Sequence, residues 1–231
     1  MQNHYLITGA SRGIGFEMVR HLAGQHHRIT AVARSQKKLE KLAGLYPEQV
    51  SAFTMDITNE KDRKRLTDHF TEKNITLQGI VHNAGLLINK PFSRLTNSDW
   101  QNQVDVNLLA PVFLTRDLIS FLDHDSHIVN ISSMGGYQGS SKFPGLTGYS
   151  VAKGALSILA ECLANELNEQ KISCNSLCLG AVQTEMLENA FPGMEAPVQT
   201  EKMGAYISEF LQTGHQFYNG KILPVALSDP S

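Results

Sequence analysis

A glycine-rich turn between an apolar run and an amphipathic segment dominates the start of this sequence. The run Tyr5-Leu6-Ile7 leads into glycines at positions 9, 13 and 15, after which apolar residues recur at helical intervals. Because glycine has no side chain, such a turn can bend sharply and let another group approach its backbone closely. The sequence therefore predicts a buried strand, a tight turn and a helix, which together begin a βαβ unit.

The alternation of short β-branched runs with amphipathic stretches continues along the whole chain. It predicts an α/β fold, a doubly wound parallel β-sheet flanked by helices on both faces. No repeat, low-complexity tract or linker interrupts the pattern, so we expect a single domain over 1–231. Thr96 and Asp99 have the spacing of a capping box that opens the fourth helix. Strands are predicted near 4–8, 28–33, 50–55, 78–82, 126–132, 171–178 and 217–225, and helices near 13–24, 35–45, 59–73, 97–122, 148–169 and 200–211.

Composition argues against several classes of partner. The net charge of -2, from 20 basic and 22 acidic residues, gives no electrostatic footprint for nucleic acid or an anionic membrane. The first residues show no basic segment followed by an apolar one, and no run approaches the ~18 apolar residues of a membrane helix. We therefore expect a cytoplasmic protein. Cys162, Cys174 and Cys178 are expected to be reduced thiols, and the dispersed histidines complete no metal-ligand pattern.

The glycine turn also suits phosphate binding. Its backbone can approach a pyrophosphate, whose charge then lies at the N-terminus of the following helix. The spacing G-x-x-x-G-x-G differs from the G-x-G-x-x-G dinucleotide fingerprint, and a glycine cluster alone can be an ordinary loop. Its position directly after the first strand favours nucleotide binding.

A second pattern can provide a proton donor. Tyr149 stands four residues before Lys153, so on a helix the two side chains lie on the same face. A free phenol loses its proton only near pH ~10, and a lysine one turn away can stabilise the phenolate. Many surface helices carry this pair as well, so its meaning depends on the motifs around it.

Together these motifs resemble those of the short-chain dehydrogenase/reductase family, in its single-domain Rossmann-type form. The match includes His82-Asn83-Ala84-Gly85 after the fourth strand and Val106-Asn107-Leu108 in a long helix. It also includes Ile128-Val129-Asn130-Ile131-Ser132-Ser133, which leads into a loop, and Thr213-Gly214 and Asn219-Gly220 near the end. The motifs occur in the family's order, which makes the resemblance specific.

The resemblance implies a catalytic set and a nicotinamide cofactor. Tyr149 would protonate a carbonyl oxygen that Ser133 polarises. Lys153 would lower the pKa of the tyrosine and bind the nicotinamide ribose, and Asn107 would support a water relay. The implied cofactor-binding residues are Gly9, Ser11, Arg12, Gly13, Ile14, Gly15, Arg34, Asp56, Ile57, Asn83, Ala84, Gly85, Tyr149, Lys153 and Thr184.

Some of these assignments have alternatives. Ser132 competes with Ser133, and the loop from Ser133 to Tyr149 is a few residues longer than the family's commonest one. Asp56 is assigned to the adenine side, but it could instead cap the helix that begins near Asn59.

The position of Pro111 also indicates a role for Asn107. Pro111 has no N–H, so the carbonyl of Asn107 loses its helical partner and can hold a water. The alternative is a proline kink that only shapes packing.

Two arginines favour NADP(H) over NAD(H). The second strand ends in Arg34, with no carboxylate to bind a ribose 2′-hydroxyl, and Arg12 would project towards the same place, as in NADP-preferring relatives. Two cations at one pocket suit a 2′-phosphate. Alternatively, both are solvated surface residues.

The substrate side of the site is less determined. Leu179 stands where the family usually has proline, which leaves the backbone leading to Thr184 less restricted. Residues 185–200 are the predicted lid, and its apolar side chains could line a pocket or pack onto the body. The short lid favours a small or slender carbonyl compound. The apolar lid residues are Met186, Leu187, Phe191 and Met194.

We therefore expect an NADPH-dependent reductase that transfers hydride reversibly to a ketone or aldehyde. The alternatives are an alcohol dehydrogenase working oxidatively, with NAD or NADP, and a non-catalytic NADP-binding sensor. The helices near 97–122 and 148–169 carry more apolar residues than one sheet-facing stripe requires, which predicts a homodimer or homotetramer unless all of them face the sheet. These residues are Leu108, Leu109, Val112, Phe113, Leu156, Leu159, Ala160 and Leu163.

Overall fold

Seven parallel strands form the central sheet of the computed structural model, which describes residues 2–227. Residue 1 and residues 228–231, which the predicted domain includes, lie outside the described residues. The strand order is β3-β2-β1-β4-β5-β6-β9, and each neighbouring pair is parallel. The strands of this sheet are β1 (His4–Thr8), β2 (Arg28–Ala33), β3 (Val50–Thr54), β4 (Leu77–His82), β5 (Leu122–Ser133), β6 (Ser173–Leu179) and β9 (Ile222–Val225). This confirms the predicted doubly wound sheet.

The order of the strands reverses between β1 and β4. The chain runs outwards from β1 through β2 to β3, then returns to the other side of β1 and continues through β4. Connections that leave the two neighbouring strands in opposite directions open a crevice at their carboxyl ends, where ligands bind in open α/β sheets.

Helices cover both faces of the sheet. They are α1 (Gly13–Gly24), α2 (Gln36–Leu45), α3 (Glu60–Glu72), α4 (Asn97–Val104), α5 (Ala110–Leu118), α6 (Thr147–Glu166), α7 (Glu185–Ala190) and α8 (Thr200–Thr213). Because strand side chains alternate between faces, Tyr5 and Ile7 enter one apolar core with α1 and α8, whereas Leu6 enters another with α3 and α5. A third buried cluster forms between β5, β6 and α6.

The predicted helix over 97–122 is wrong as a single element. It consists of α4, a π-helical turn (Asp105–Leu109), α5 and a 3₁₀ turn (Ile119–Phe121). Pro111 cannot donate to the carbonyl four residues before it, and the chain widens here: the N–H of Ala110 bonds to the carbonyl of Asp105, five residues back. The predicted capping box is confirmed, since the Thr96 hydroxyl accepts from the N–H of Asp99 and the Asp99 carboxylate accepts from that of Thr96.

Two further differences concern the start of the last strand and the segment between β6 and α8. The last strand starts at Ile222 and not near 217, because Gly214–Gln216 form a 3₁₀ turn and Gly220 adopts a positive φ of 68°. Between β6 and α8, where only a lid over 185–200 is predicted, the structure forms α7 and a short parallel pair, β7 (Val182–Gln183) with β8 (Val198–Gln199).

Other expectations concern thiols, membranes and metals. Cys174 and Cys178 are buried free thiols, and Cys162 is an exposed one. Within residues 2–227, no helix has both the length and the apolar character needed to cross a membrane. The same residues bring together no group of three His, Cys, Asp or Glu side chains suited to a metal ion.

A buried histidine links β5 to its neighbours. Nδ1 of His127 lies 3.1 Å from the carbonyl oxygen of Leu211, and Nε2 lies 2.9 Å from the Asn175 amide nitrogen. A carbonyl only accepts and an amide NH₂ only donates, so Nδ1 carries the proton and the ring is neutral. Burial lowers the pKa of His127 to about 4.

Replacing His127 by Gln should reduce the loss of stability in acid. An unfolded histidine protonates near pH ~6.5, so the free energy of unfolding should fall as the pH drops from about 6.5 towards about 4, where the buried ring finally accepts a proton. His127 should contribute up to ~1.4 kcal/mol per pH unit in that window. Denaturant unfolding at several pH values measures the slope. His124→Gln, an exposed position on the same strand, should keep the wild-type slope, and an equally steep slope in His127→Gln would contradict the assignment.

Candidate active site

The predicted catalytic side chains meet at the carboxyl ends of the central strands. Ser133 ends β5, Tyr149 and Lys153 lie on the first turns of α6, and Asn107 lies in the π-helical turn. The chain brings Tyr149 and Lys153 to one helix face, as their spacing predicts.

Lys153 is buried with its ammonium group bonded to the protein. Nζ donates to the carbonyl oxygen of Ile131 over 2.7 Å, and the residue is 3% exposed. Burial disfavours the charged form and lowers the pKa of Lys153 to about 8. The side chain is therefore fixed in position, and it remains mostly charged at neutral pH.

The pKa of Tyr149 is shifted in the direction opposite to the expected one. Burial raises it to about 12, against a smaller lowering by a hydrogen bond with Ser133. Nζ of Lys153 lies 5.9 Å from the centre of the phenol ring and bonds to Ile131, so desolvation outweighs the ammonium charge. The phenol therefore stays protonated at neutral pH in this arrangement.

The two serines that end β5 point to different places. Ser132 is 3% exposed, and its hydroxyl donates to the carbonyl oxygen of Lys153 over 2.8 Å, beneath α6. Ser133 is partly exposed and lies close enough to the Tyr149 phenol to lower its pKa, and its Oγ accepts from the N–H of Gly135 over 3.1 Å. Of the two alternatives, the geometry therefore favours Ser133 as the residue that faces a substrate.

Asn107 is fully buried and braces the segment that follows β4. Its Nδ2 donates to the carbonyl oxygen of Leu86 over 2.7 Å, and its Oδ1 accepts from the Leu86 N–H over 3.0 Å. One turn earlier, Oε1 of Gln103 accepts from the N–H of Ile88 over 3.1 Å. Sequence reasoning missed Gln103, although its spacing of four from Asn107 was a readable signal.

Gly85 lies where two of the predicted catalytic residues and the predicted lid come together. A Cβ atom at this position would lie 3.2 Å from Oδ1 of Asn107, 3.6 Å from Nζ of Lys153 and 3.7 Å from Cε of Met186. Any larger residue would narrow this part of the crevice.

The glycine turn folds tightly against the end of β4. Gly9 has a positive φ of 70°, and a Cβ atom at Gly15 would overlap the carbonyl oxygen of Gly9 and lie 2.5 Å from the Asn83 amide nitrogen. Arg12 is the N-cap residue of α1 and provides no side-chain hydrogen bond to the helix. The turn and the first N–H groups of α1 therefore fit a pyrophosphate, with Ser11 and Ile14 partly exposed beside it.

Thr184 connects this turn to the lid. Its Cγ2 would lie 3.6 Å from a Cβ atom at Gly13, and its Oγ1 accepts from the N–H of Leu187 to cap α7. The hydroxyl proton remains available to an acceptor in the crevice.

The remaining predicted cofactor contacts lie along the same edge of the sheet. The N–H groups of Asn83 and Ala84 both donate to the Thr8 hydroxyl over 3.0 Å. Oδ1 of Asp56 accepts from Thr58, while Asn59 caps α3, so the alternative that Asp56 is the helix cap is wrong. The adjacent Ile57 is 9% exposed.

Of the two arginines expected near a 2′-phosphate, Arg12 is paired with a carboxylate and Arg34, among the described residues, is not. NH1 of Arg12 lies 2.7 Å from Oε2 of Glu185, and Nζ of Lys38 lies 3.8 Å from Oε1 of the same carboxylate. Arg34 is exposed just after β2 and makes no ion pair within the described part of the chain. Sequence reasoning missed Lys38 and Glu185. The pair Lys37-Lys38 at the start of α2 was a signal for the first, but nothing local indicated the second.

Comparisons with known proteins agree with this geometry. A family model described as short chain dehydrogenase matches residues 3–195. Dehydrogenase/reductase SDR family member 11 of Gallus gallus is 32% identical over 197 residues, covering 78% of this chain and 74% of that protein. Nodulation protein G of Rhizobium sp. (strain N33) is 29% identical over 211 residues, covering 87% and 84%. The crystal structure of 3-ketoacyl-(acyl-carrier-protein) reductase from Brucella melitensis complexed with NADH superposes with a TM-score of 0.87 at 23% identity, covering 97% of this chain and 96% of that one. At this identity, the last comparison concerns the fold alone.

Proposed function

Since the chain belongs to the short-chain dehydrogenase/reductase family, we propose that it reduces the ketone or aldehyde group of a small substrate with NADPH, reversibly with the alcohol. Family membership makes it an oxidoreductase that uses a nicotinamide cofactor. The observation that carries the finer proposal is the proximity of the Tyr149 phenol to both Ser133 and Lys153, whose ammonium group also lies next to Gly85.

The proton chemistry of the site supports the reductive direction. Tyr149 has a pKa of about 12 because of burial, so its phenol holds the proton that a reduced carbonyl oxygen must accept. Ser133 lies beside this phenol and can donate to the same oxygen as negative charge develops on it. When bound, the cofactor provides the hydride. The ammonium of Lys153 lies 5.9 Å from the centre of the phenol ring, so its charge favours loss of the phenolic proton during the reaction, although burial outweighs it before the reaction.

Tyr149→Phe should lower kcat by a factor of ~10² to 10⁴, because general-acid catalysis contributes about this much. The affinity for NADPH should stay within about twofold of wild type, since the ring and Lys153 remain. Steady-state kinetics and cofactor titration by fluorescence measure the two effects. Tyr206→Phe removes the same hydroxyl from an exposed side chain on α8 and should retain full activity. A Tyr149→Phe enzyme with most of its activity would show that another group donates the proton.

The proposed NADP(H) preference rests on the cations around the glycine turn. Arg34 follows β2 without a carboxylate, Arg12 belongs to the turn, and Lys38 approaches from α2. Cations at this edge of the crevice suit the 2′-phosphate, whereas a ribose 2′-hydroxyl is usually bound by a carboxylate.

Arg34→Asp should weaken NADPH binding by about 10- to 100-fold and NADH binding much less, since it exchanges a charge-assisted phosphate contact for repulsion. Calorimetric titration with both cofactors measures the ratio. Arg28→Asp provides the matched control, because Arg28 is an exposed residue at the opposite end of the same strand. Equal losses for NADPH and NADH in Arg34→Asp would count against a 2′-phosphate contact.

The lid supports a small or slender apolar substrate. Met186, Leu187 and Phe191 are partly buried, and Met186 reaches Gly85 beside the catalytic lysine. Met194 is 41% exposed and lies on the outer part of the lid. Apolar side chains at this place would favour a carbonyl compound with hydrophobic substituents.

We also propose self-association through α6 and the neighbouring α4–α5 region. Leu156 and Ala160 face the sheet and are fully buried, so they do not take part. Val151 and Ile158, two turns apart, are 51% and 53% exposed on α6. The other predicted residues are only partly buried: Leu108, Leu109, Val112, Phe113, Leu159 and Leu163.

Sedimentation at micromolar concentration should show a dimer or tetramer, and Ile158→Lys should shift the protein towards monomer, because a charge would be buried in the interface. Leu45→Lys is the control, since Leu45 is 55% exposed at the end of α2 and lies outside the proposed interface. A wild-type protein that sediments only as monomer would remove this proposal.

A further inference from the structure

Glu185, the first residue of α7, joins three separate segments of the chain. Its carboxylate bonds to Arg12 of the glycine turn over 2.7 Å and lies 3.8 Å from the ammonium of Lys38 on α2. No short-range pattern creates this contact, since Arg12 and Glu185 are far apart in sequence. A lid residue thus neutralises cations at the edge of the cofactor crevice.

A phosphate at this place would need the same donors. Arginine binds carboxylate and phosphate in the same way, through N–H groups that point along its planar fork. Two anions that bind the same guanidinium group of Arg12 repel each other. A bound 2′-phosphate must therefore displace the Glu185 carboxylate or share Arg12 with it at a cost in affinity.

We infer that Glu185 is a specificity-determining residue for the cofactor, because its carboxylate competes with the 2′-phosphate for Arg12 and Lys38. This inference rests on the proposed use of NADP(H). It implies that Glu185 limits the affinity for NADP(H), which carries the 2′-phosphate, and leaves the affinity for NAD(H) unchanged.

The residues on either side of Glu185 contact both the glycine turn and the crevice. Thr184 packs against Gly13 and caps α7, and Met186 reaches Gly85. At the other end of α7, the carbonyl oxygen of Ala190 accepts from the Asn89 amide over 2.9 Å. Displacing the Glu185 carboxylate therefore breaks one of several contacts that hold the N-terminal end of α7, while Thr184 and Met186 keep theirs.

The size of the effect follows from the exposure of the ion pair. The side chains of Arg12 and Glu185 are 52% and 55% exposed, and exposed ion pairs are weak because solvent screens them. We therefore expect a change of about two- to fivefold in the dissociation constant.

The test compares two ligands that differ only in the 2′-phosphate. Calorimetric titration of full-length protein with 2′,5′-ADP and with 5′-AMP isolates the adenosine end of the cofactor. At low ionic strength, Glu185→Gln should bind 2′,5′-ADP about two- to fivefold more tightly and 5′-AMP as wild type does, since the substitution removes only the charge. The gain should shrink as salt screens the contact.

Two further variants make the test specific. Glu188→Gln makes the same substitution one turn further along α7, where Oε1 accepts from the N–H of Gly193, and it should change neither affinity. In an Arg12→Ala background, Glu185→Gln should give a smaller gain than in wild type, because only Lys38 remains for the carboxylate to neutralise.

The outcomes separate this inference from the proposed function. Wild-type protein that prefers 2′,5′-ADP, combined with unchanged affinities in Glu185→Gln, would overturn the role of Glu185 alone. An equal gain for both ligands would also overturn it, because that result reflects lid opening without phosphate competition. If 2′,5′-ADP binds no more tightly than 5′-AMP in every variant, the NADP(H) proposal itself fails.

Discussion

The hydroxyl of Thr8 connects β1 with β4, the two neighbouring strands at which the strand order reverses. It donates to the carbonyl oxygen of Val81 and accepts from the N–H groups of Asn83 and Ala84. One fully buried group thereby satisfies two backbone donors that leave β4 without a strand partner, where an unpaired N–H would be costly. The Asn83 amide in turn donates to the carbonyl oxygen of Thr8, which leaves no room for a side chain at Gly15. This junction therefore holds the glycine turn against the end of β4, at the edge of the crevice.

Burial, more than pairing of charges, sets the protonation of Tyr149 and Lys153. Both Tyr149 and Lys153 are shifted away from their charged forms, the pKa of the first to about 12 and that of the second to about 8. The ammonium is held by Ile131, and Ser132 holds the backbone of Lys153. Lys153 is thus held at both its backbone and its ammonium group, which is the preorganisation that the proposed proton transfer requires.

The sequence was informative wherever the signal was local. The bounds of β1 and α1, the capping box at Thr96 and the shared face of Tyr149 and Lys153 all depend on residues within a few positions of one another. The sequence predicted that Pro111 disrupts the helical hydrogen bonding. It did not predict the π-helical turn that accommodates the proline. The direction of the Tyr149 pKa shift depends on burial by distant segments, which no spacing in the sequence expresses.

The same distinction explains why the lid was the least predictable part. α7 is only six residues long, too short for an apolar period to be recognised, and its ends are fixed by Arg12 and Asn89, which lie far away in sequence. The central sheet and its long helices thus carry the proposed proton donor and the glycine turn, whereas a short segment with few buried contacts carries Glu185 and Met186. Loops on a rigid scaffold can change without unfolding it. Under the proposed function, substitutions within residues 184–199 would therefore alter the choice of cofactor and substrate while Ser133, Tyr149 and Lys153 keep their positions.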